Sequence, residues 1–362
     1  MTGRADAPAP SPAIPGPDAG FDAFVEANPR ATYLQLAAWT RVKAPNGWSA
    51  RLVDQRVQGG GRVGARILLR RPAPLPWSFA YAPRGPIAAP WTTDALAAFG
   101  EAARRALAGG GARAALLRID PEIEAGGEDD PDGATTAALR SLGWRPAPEV
   151  QPSVTRVVDL RADEAALWSG LRGKWRQYVN RARDRGVLVE DAGEAGLRAF
   201  LTIMAETRRR TGTPMRAASA YRDLWAAFAA AGRARLLVAR GPAGDAQAAL
   251  LLLRSGARVV EPYGGMTAAG AESRANYLVK WEAIRASRAA GAVSYDMWGL
   301  VHPGIRQFKE GFGGREVRLI GAWELVLDRV GAAVYELGER RRRHGPALTA
   351  DAGLDESTED GR

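Results

Sequence analysis

The chain has 362 residues, 46% of them hydrophobic and 25% charged, with a formal net charge of +10. At roughly 100–200 residues per domain, this length predicts two domains, each able to bury a core of its own. The absence of cysteine excludes disulfides, thiolate zinc sites, iron–sulfur clusters and a cysteine nucleophile. Two histidines, His302 and His344, leave no His-rich metal site, and the basic balance favours nucleic acid, phosphorylated substrates or an acidic membrane surface as partners.

Residues 1–20, rich in Pro and Ala and without an apolar segment, read as a disordered leader and not as a signal peptide. Helical periodicity starts around Phe21 to Ala27. A strand pair follows, SARLVDQRV and VGARILLRR across a GGG turn, then the strand FAYAPRGPI. A helix over TTDALAAFGEAARRALA, stopped by Gly109 to Gly111, leads to the strand AALLRID. The second half opens with a helix from Asp163 to Arg185 and a helical region near residues 196–231. It then repeats the same order: strands RARLLVAR and QAALLLLR across a Gly-Pro-Ala-Gly-Asp turn, the strand VVEPYGGM, a helix over SRANYLVKWEAIRASRAA stopped by Gly291, and the strand AVSYDMWG. In that helix Tyr277, Leu278, Trp281, Ile284 and Ala286 share a face. Each half thus carries a hairpin, a Tyr-bearing strand, an amphipathic helix and an Asp-bearing strand. The prediction is an α+β chain of two tandem GNAT-like acyltransferase domains with mixed sheets. Arg340 to Arg343 end a further helix, where cations suit the C-terminal dipole; the same cluster also fits anionic lipid. Residues 344–362 read as a disordered tail, and no run approaches 18 consecutive apolar residues, so no membrane span is expected.

Several residues carry chemistry by type. Of 50 basic residues only Lys43, Lys174, Lys280 and Lys309 are lysine. A chain that otherwise writes Arg marks these as candidates for a compact ammonium, against the reading of leftover surface lysines. The helix from Asp163 to Arg185 interleaves Arg172, Lys174, Arg176, Arg181, Arg183 and Arg185 with Trp168, Leu171, Trp175 and Tyr178. It could grip a polyanion, but a solvated basic face over a core stripe is the favoured reading. The acyl-CoA loop pattern [QR]-x-x-G-x-[GA] matches at Arg56–Gly61 and Arg342–Ala347. With this much Arg, Gly and Ala, chance supplies about two such matches, and both contexts are wrong for a strand-to-helix loop. His302 reads as structural. Asp120 and Asp296, at strand ends, read first as turn caps and second as acid or base groups.

The segments LQLAAWTRVKAPNGW, FAYAPRGPI, LLRIDPEI, QPSVTRVVDL, EPYGG and QFKEGFGG occur in this order. Together, over residues 21–335, they resemble the FemABX peptidoglycan bridge-forming aminoacyltransferases. The resemblance implies two GNAT-like domains with a substrate cleft, one of residues 21–150 completed by 316–343 and one of 151–315. It implies a compact member, with no room for a coiled-coil arm between Tyr221 and Gly241. The implied activity moves an amino acid (glycine first, alanine or serine next) from aminoacyl-tRNA to the stem-peptide side-chain amine of a peptidoglycan precursor. That precursor is lipid II or UDP-MurNAc-pentapeptide, and no cofactor is implied. A cytoplasmic two-domain monomer is expected, and the basic balance is compatible with peripheral contact at the inner membrane leaflet.

The resemblance also assigns residues. Lys43 in WTRVK and Arg216 in RTGTPMR fall where the family binds the precursor's phosphates. Tyr263 in PYGG matches a tyrosine on the substrate cleft, and Tyr221 is what remains of a nearby aromatic pair. Phe308 and Lys309 in QFK match the catalytic end of the site. Pro214 departs from the family's frequent threonine. An aminoacyl ester is already activated, so the protein's work is positioning and oxyanion stabilisation. Lys309 would supply the ammonium there, and Phe308 would exclude water. A base for the incoming amine is open, Asp120 and an amine that arrives deprotonated being the two options. Two other readings stay beside this one: a GNAT-type N-acyltransferase using acyl-CoA and a small amine, and a non-catalytic basic RNA-binding protein on the same scaffold.

Overall fold

The computed structural model describes residues 17–109, 113–212, 215–300 and 302–344. Residues 1–16 of the expected leader, Gly110 and Gly111 of the expected helix stop, Pro214 and the expected tail beyond residue 344 lie outside them. In the first half, α1 (Pro17–Ala27) and α2 (Ala37–Lys43) precede a hairpin of β1 (Ser49–Arg56) and β2 (Arg62–Arg70). There follow β3 (Ser78–Ala82), β4 (Ile87–Ala89), α3 (Thr93–Ala108), β5 (Ala114–Ile119), α4 (Ala134–Ser141) and β6 (Trp144–Ala147). The second half runs β7 (Val154–Asp159), α5 (Glu164–Ser169), α6 (Gly173–Asp184), β8 (Leu188–Asp191), α7 (Leu197–Thr211) and α8 (Ala218–Ala229). It continues through the hairpin β9 (Ala234–Arg240) and β10 (Ala246–Ser255), then β11 (Arg258–Met266), α9 (Ala268–Ser273), α10 (Ala275–Ala289) and β12 (Ser294–Asp296). The chain then passes through α11 (Pro303–Glu310), β13 (Arg315–Arg318), β14 (Ala322–Val326) and α12 (Arg329–His344).

The strands form two mixed sheets. One has the order β1-β2-β3-β5-β14-β6, with β4 against β2; the other reads β8-β9-β10-β11-β12-β7-β13. The repeat seen in the sequence is a repeat in space. β1-β2-β3-β5 corresponds to β9-β10-β11-β12, and in each set the last pair is parallel and joined through a helix, α3 or α10. In each sheet a strand from elsewhere in the chain then pairs antiparallel beyond the parallel pair, β14 in one and β7 in the other. β2 and β10 read as continuous apolar runs because both of their faces are covered, as their burial shows. Thr92 caps α3 by accepting from the Ala95 N–H, and Ala95, Leu96, Phe99, Ala103 and Leu107 make its buried stripe.

Several local details differ from the sequence reading. Residues 17–20 of the expected leader are the start of α1, and the strand expected over FAYAPRGPI is two, β3 and β4. The helix expected over Asp163 to Arg185 is two helices, broken at Gly170 to Arg172, because the Arg172 N–H donates to the Gly311 carbonyl at 2.8 Å and not into a continuous helix. Its basic face is solvated over a stripe of Trp175, Val179 and Ala182, the favoured reading. Position 316, where the return to the first domain is expected, falls inside β13. That strand pairs with β7 in the second sheet, and the return is made by β14.

The halves are fastened by apolar and ionic contacts. One core cluster runs from Phe21, Val25 and Trp39 in the first half to Phe200, Phe228 and Leu251 in the second. At Gly256, with φ +56°, a Cβ would lie 2.1 Å from the Glu26 carbonyl oxygen, so the two halves meet there at glycine distance. A buried polar chain crosses alongside. Asp120 accepts from the Tyr81 hydroxyl at 2.8 Å and from the Arg84 N–H at 2.6 Å; Arg84 faces Glu122 at 3.3 Å; and Arg258 pairs with both Glu122, at 3.1 Å, and Asp296.

Candidate functional site

A cavity of about 670 Å³ lies on the second sheet, walled by α7, β11, α10 and α11 and closed on one side by residues 150–152, the link between the halves. Five of the six residues assigned from sequence line it: Arg216, Tyr221, Tyr263, Phe308 and Lys309. They fall into two groups. In the first, the Arg216 Nε–H donates to the Tyr263 hydroxyl at 2.6 Å, and the Tyr263 ring meets Tyr221 edge-on at 5.1 Å. Tyr221 is buried and packs edge-on against Phe200 at 5.3 Å, which fixes the wall from behind. Lys43 is not part of the lining. Its ammonium sits 5.3 Å from the centre of the Trp39 ring, and the Arg216 guanidinium lies 5.9 Å from the same ring. Trp39 therefore joins the two cations, and its buried Nε1–H has no acceptor among the described residues.

The second group is built on α11. His302 caps this helix by accepting from the Gly304 N–H at 3.2 Å, and Pro303 starts it, so the lone loop histidine is a structural cap. The Trp175 indole N–H donates to the Phe308 carbonyl at 2.9 Å and pins the last turn. A Cβ at Gly311 would meet that indole at 2.3 Å, so the helix must end in glycine. The Phe308 ring is held edge-on by Tyr277 and by Phe312, each at 5.2 Å. Lys309 donates to the carbonyls of Gly299 at 2.8 Å and Trp298 at 3.2 Å. Trp298 itself has φ +61°, a conformation costly for a bulky residue. Its neighbours hold it there: its N–H donates to Asp296 at 2.7 Å, and the Arg84 guanidinium lies 5.1 Å from its ring.

Burial, first of all, brings the Lys309 ammonium down from its ordinary value to about 8. The charge of Lys280 adds to the fall, and Glu261 and Asp296 oppose it. Lys280 and Glu261 also line the cavity, as a buried ion pair, and Glu261 accepts a further hydrogen bond from the Tyr295 hydroxyl. Both were outside the site expected from sequence, although Lys280 is one of the four lysines that composition singled out. Lys174, the fourth, is exposed over the Tyr178 ring at 5.7 Å.

The two aspartates at strand ends do not face the cavity. Asp296 is fully buried and accepts from Thr155, Arg258 and the Trp298 N–H. Asp120, the candidate base, has both oxygens engaged. Burial pushes its carboxyl up to about 6, against the pull of Arg84. Both belong to the seam between the halves. Of the two acyl-CoA loop matches, Arg56–Gly61 is the turn of the β1–β2 hairpin, and Arg342–Ala347 begins in the last turn of α12 and runs outside the described residues. Among the described residues no group of three or more His, Asp or Glu side chains could hold a metal ion. No helix among them is long and apolar enough to cross a membrane.

Known proteins share this fold. The chain is 28% identical over 235 residues to the lipid II:glycine glycyltransferase of Staphylococcus saprophyticus, a match covering 62% of this chain and 54% of that protein. The enzyme of the same name from Staphylococcus aureus is 27% identical over 223 residues, covering 60% and 52%. The chain thus spans about half the length of these curated relatives. Its fold superposes on the crystal structure of FemX with a TM-score of 0.79 at 22% identity, over 90% of this chain and 98% of that one. A tandem GNAT protein from the clavulanic acid biosynthesis pathway follows at 0.51 and 16%, over 85% and 92%. The profile of the FemAB family matches residues 17–245 and 240–340, nearly all that the structure describes, and the chain belongs to the FemAB family.

Proposed function

We propose that the protein transfers an aminoacyl group from aminoacyl-tRNA to the side-chain amine of the stem peptide in a peptidoglycan precursor. The observation that carries this reading is that one cavity holds both a desolvated lysine beside an aromatic ring, Lys309 with Phe308, and an arginine–tyrosine pair, Arg216 with Tyr263. The first suits an acyl ester and the second a diphosphate. The names of the relatives favour glycine as the amino acid and lipid II as the acceptor.

The chemistry asks little beyond placement. The acceptor amine attacks the ester carbonyl carbon, whose oxygen becomes an oxyanion; the nitrogen then loses a proton and the ribose oxygen leaves and takes one up. Lys309, with its ammonium value near 8, is mostly protonated at neutral pH and faces the oxyanion as a charged donor, where such donors count most. The same value lets it give its proton to the departing ribose oxygen and recover the one released by the amine. Phe308 walls that end against water. Arg216 binds the diphosphate of the acceptor through charge-assisted hydrogen bonds, with Lys43 adding positive potential from behind Trp39. Glu261 is occupied by Lys280 and Tyr295, which leaves Lys309 as the proton carrier in the cavity.

The test is to incubate the protein with lipid-linked and UDP-linked muropeptide and tRNA charged with labelled Gly, Ala or Ser, with Lys309→Met in parallel. Label moving to a muropeptide with wild type and hardly with the variant supports the reading and names amino acid and acceptor together. No transfer with any pair refutes it, and tight binding of coenzyme A in that case would favour the acyl-CoA alternative.

A further inference from the structure

The helix α12 shows solvent a face unlike the rest of the molecule. Six large apolar side chains are exposed among the described residues, and three of them lie on this one helix: Val330, Val334 and Leu337, at 64%, 38% and 52% exposure. Their spacing of four and then three residues stacks them on one side. Ala333 continues the stripe, and Arg329, Arg340 and Arg341 flank it, all exposed. At 100° per residue these side chains fall within an arc of about 140°.

Glu339 is turned away from this arc, while Glu336 lies at its edge, about 20° beyond Arg329. Glu339 pairs with Arg118 at 2.9 Å, Glu336 pairs with Arg145, and Asp328, just ahead of the helix, pairs with Arg113 at 2.5 Å. Tyr335 and Ala332 make the buried side, the tyrosine ring stacked on Phe79 at 4.6 Å. Within the arc the face therefore carries alanine, valine, leucine and arginine, and the carboxylate at its edge, Glu336, is taken up by Arg145. Beside its first turn the half-buried Trp77 packs over Gly331, where a Cβ would come within 2.7 Å of the indole.

We propose that this face of α12 docks on the surface of an anionic phospholipid bilayer. Arginines at the two ends of the stripe reach headgroup phosphates while Val330, Val334 and Leu337 enter the boundary below them, the division of labour of a helix lying in a membrane interface. Charge complementarity selects this occupant. A nucleic acid would use the arginines and leave the apolar stripe in water, and a second copy of the chain would set three arginines against three arginines. The exposed apolar area is small, so the contact is reversible and depends on both the arginines and the stripe. It stands independently of the transfer reaction.

The experiment is co-sedimentation of the full-length chain with vesicles containing phosphatidylglycerol and with vesicles of phosphatidylcholine alone, with neither tRNA nor acceptor present. Binding to the anionic vesicles only is expected. The pair Arg340→Ser and Arg341→Ser should weaken it about 25-fold, at about fivefold per arginine, and the pair Val334→Ser and Leu337→Ser by at least about tenfold. All four positions are exposed, and circular dichroism of the variants checks that the helix persists. No binding to anionic vesicles overturns the proposal. So does binding that survives the Val334→Ser, Leu337→Ser pair, which would be diffuse charge attraction, and so does a dimer in solution that this pair dissociates. Transfer is not measured here, so failure of this docking leaves the proposed reaction standing, and the reverse holds as well.

Discussion

Replacing Lys309 with methionine should make the protein more stable while it destroys transfer. The fall of the ammonium from 10.5 to about 8 corresponds to about 3 kcal/mol against holding the charge in the cavity. Methionine keeps the stem and removes the charge. The carbonyls of Trp298 and Gly299 lose their donor at a cost of about 1 kcal/mol each unless water replaces it, so the net gain at neutral pH is about 1–3 kcal/mol. The pH dependence separates this from ordinary repacking. Between about pH 8 and 10.5 the unfolded chain holds the lysine proton and the native chain does not, so wild-type stability rises with pH across that window. The variant has no such slope, and its advantage should shrink above about pH 8 and vanish by about 10.5. Urea unfolding followed by tryptophan fluorescence, near neutral pH and again near pH 10, reads the difference. A variant less stable than wild type at neutral pH, or an advantage that stays flat with pH, would refute the idea that Lys309 is held against a desolvation cost.

Arg216→Ala should raise KM for the diphosphate-bearing acceptor about 10- to 100-fold with a smaller change in kcat, the loss of a charged hydrogen-bonding group; steady-state kinetics with varied acceptor checks it. Asp120→Asn should leave the transfer rate within about threefold, because Asp120 lies in the seam and not on the cavity, and a loss of about 100-fold or more would restore it as the base. The same substitution should flatten stability between about pH 4 and 6. In wild type the native carboxyl holds a proton there that the unfolded one has lost, so stability falls as pH rises through that range. Arg258→Met should cost about 3–5 kcal/mol in urea unfolding, since it leaves Asp296 buried without its cation and Glu122 with Arg84 alone.

The repeat was legible because each half writes the same order of hairpin, strand, helix and strand with glycine-rich turns between, and turns are local chemistry. The break between α5 and α6 was not, because the amphipathic period runs on through Gly170 and Arg172, and what stops the helix is a carbonyl at Gly311, far along the chain. Of the four lysines that composition singled out, Lys280 and Lys309 line the cavity, Lys43 is buried beside Trp39 and Lys174 is exposed. Glu261 escaped notice because β11 reads as an apolar strand, and its partner Lys280 sits on a helix that reads as core. The aspartates ending β12 and following β5 were read as turn residues, and Asp296 does hold the turn at Trp298. What sequence spacing could not show is that Asp120, through Arg84 and Glu122, and Asp296, through Arg258, belong to one buried polar chain that crosses the seam at the Arg258–Glu122 pair.

The insertion of β14 between β5 and β6 has a consequence for synthesis. Among the described residues β6 bonds only to β14, and β5 has β14 along one whole side. When the ribosome has delivered everything up to β6, the first sheet is therefore still open along Leu116 to Ile119, and it stays open until almost the last element emerges. Such an edge is a template for wrong pairing between nascent chains. The second sheet, whose strands all lie between residues 154 and 318, can close first. The half that is made first is completed last, and a fragment cut at the link between the halves would leave the exit tunnel as an unfinished sheet in search of a strand.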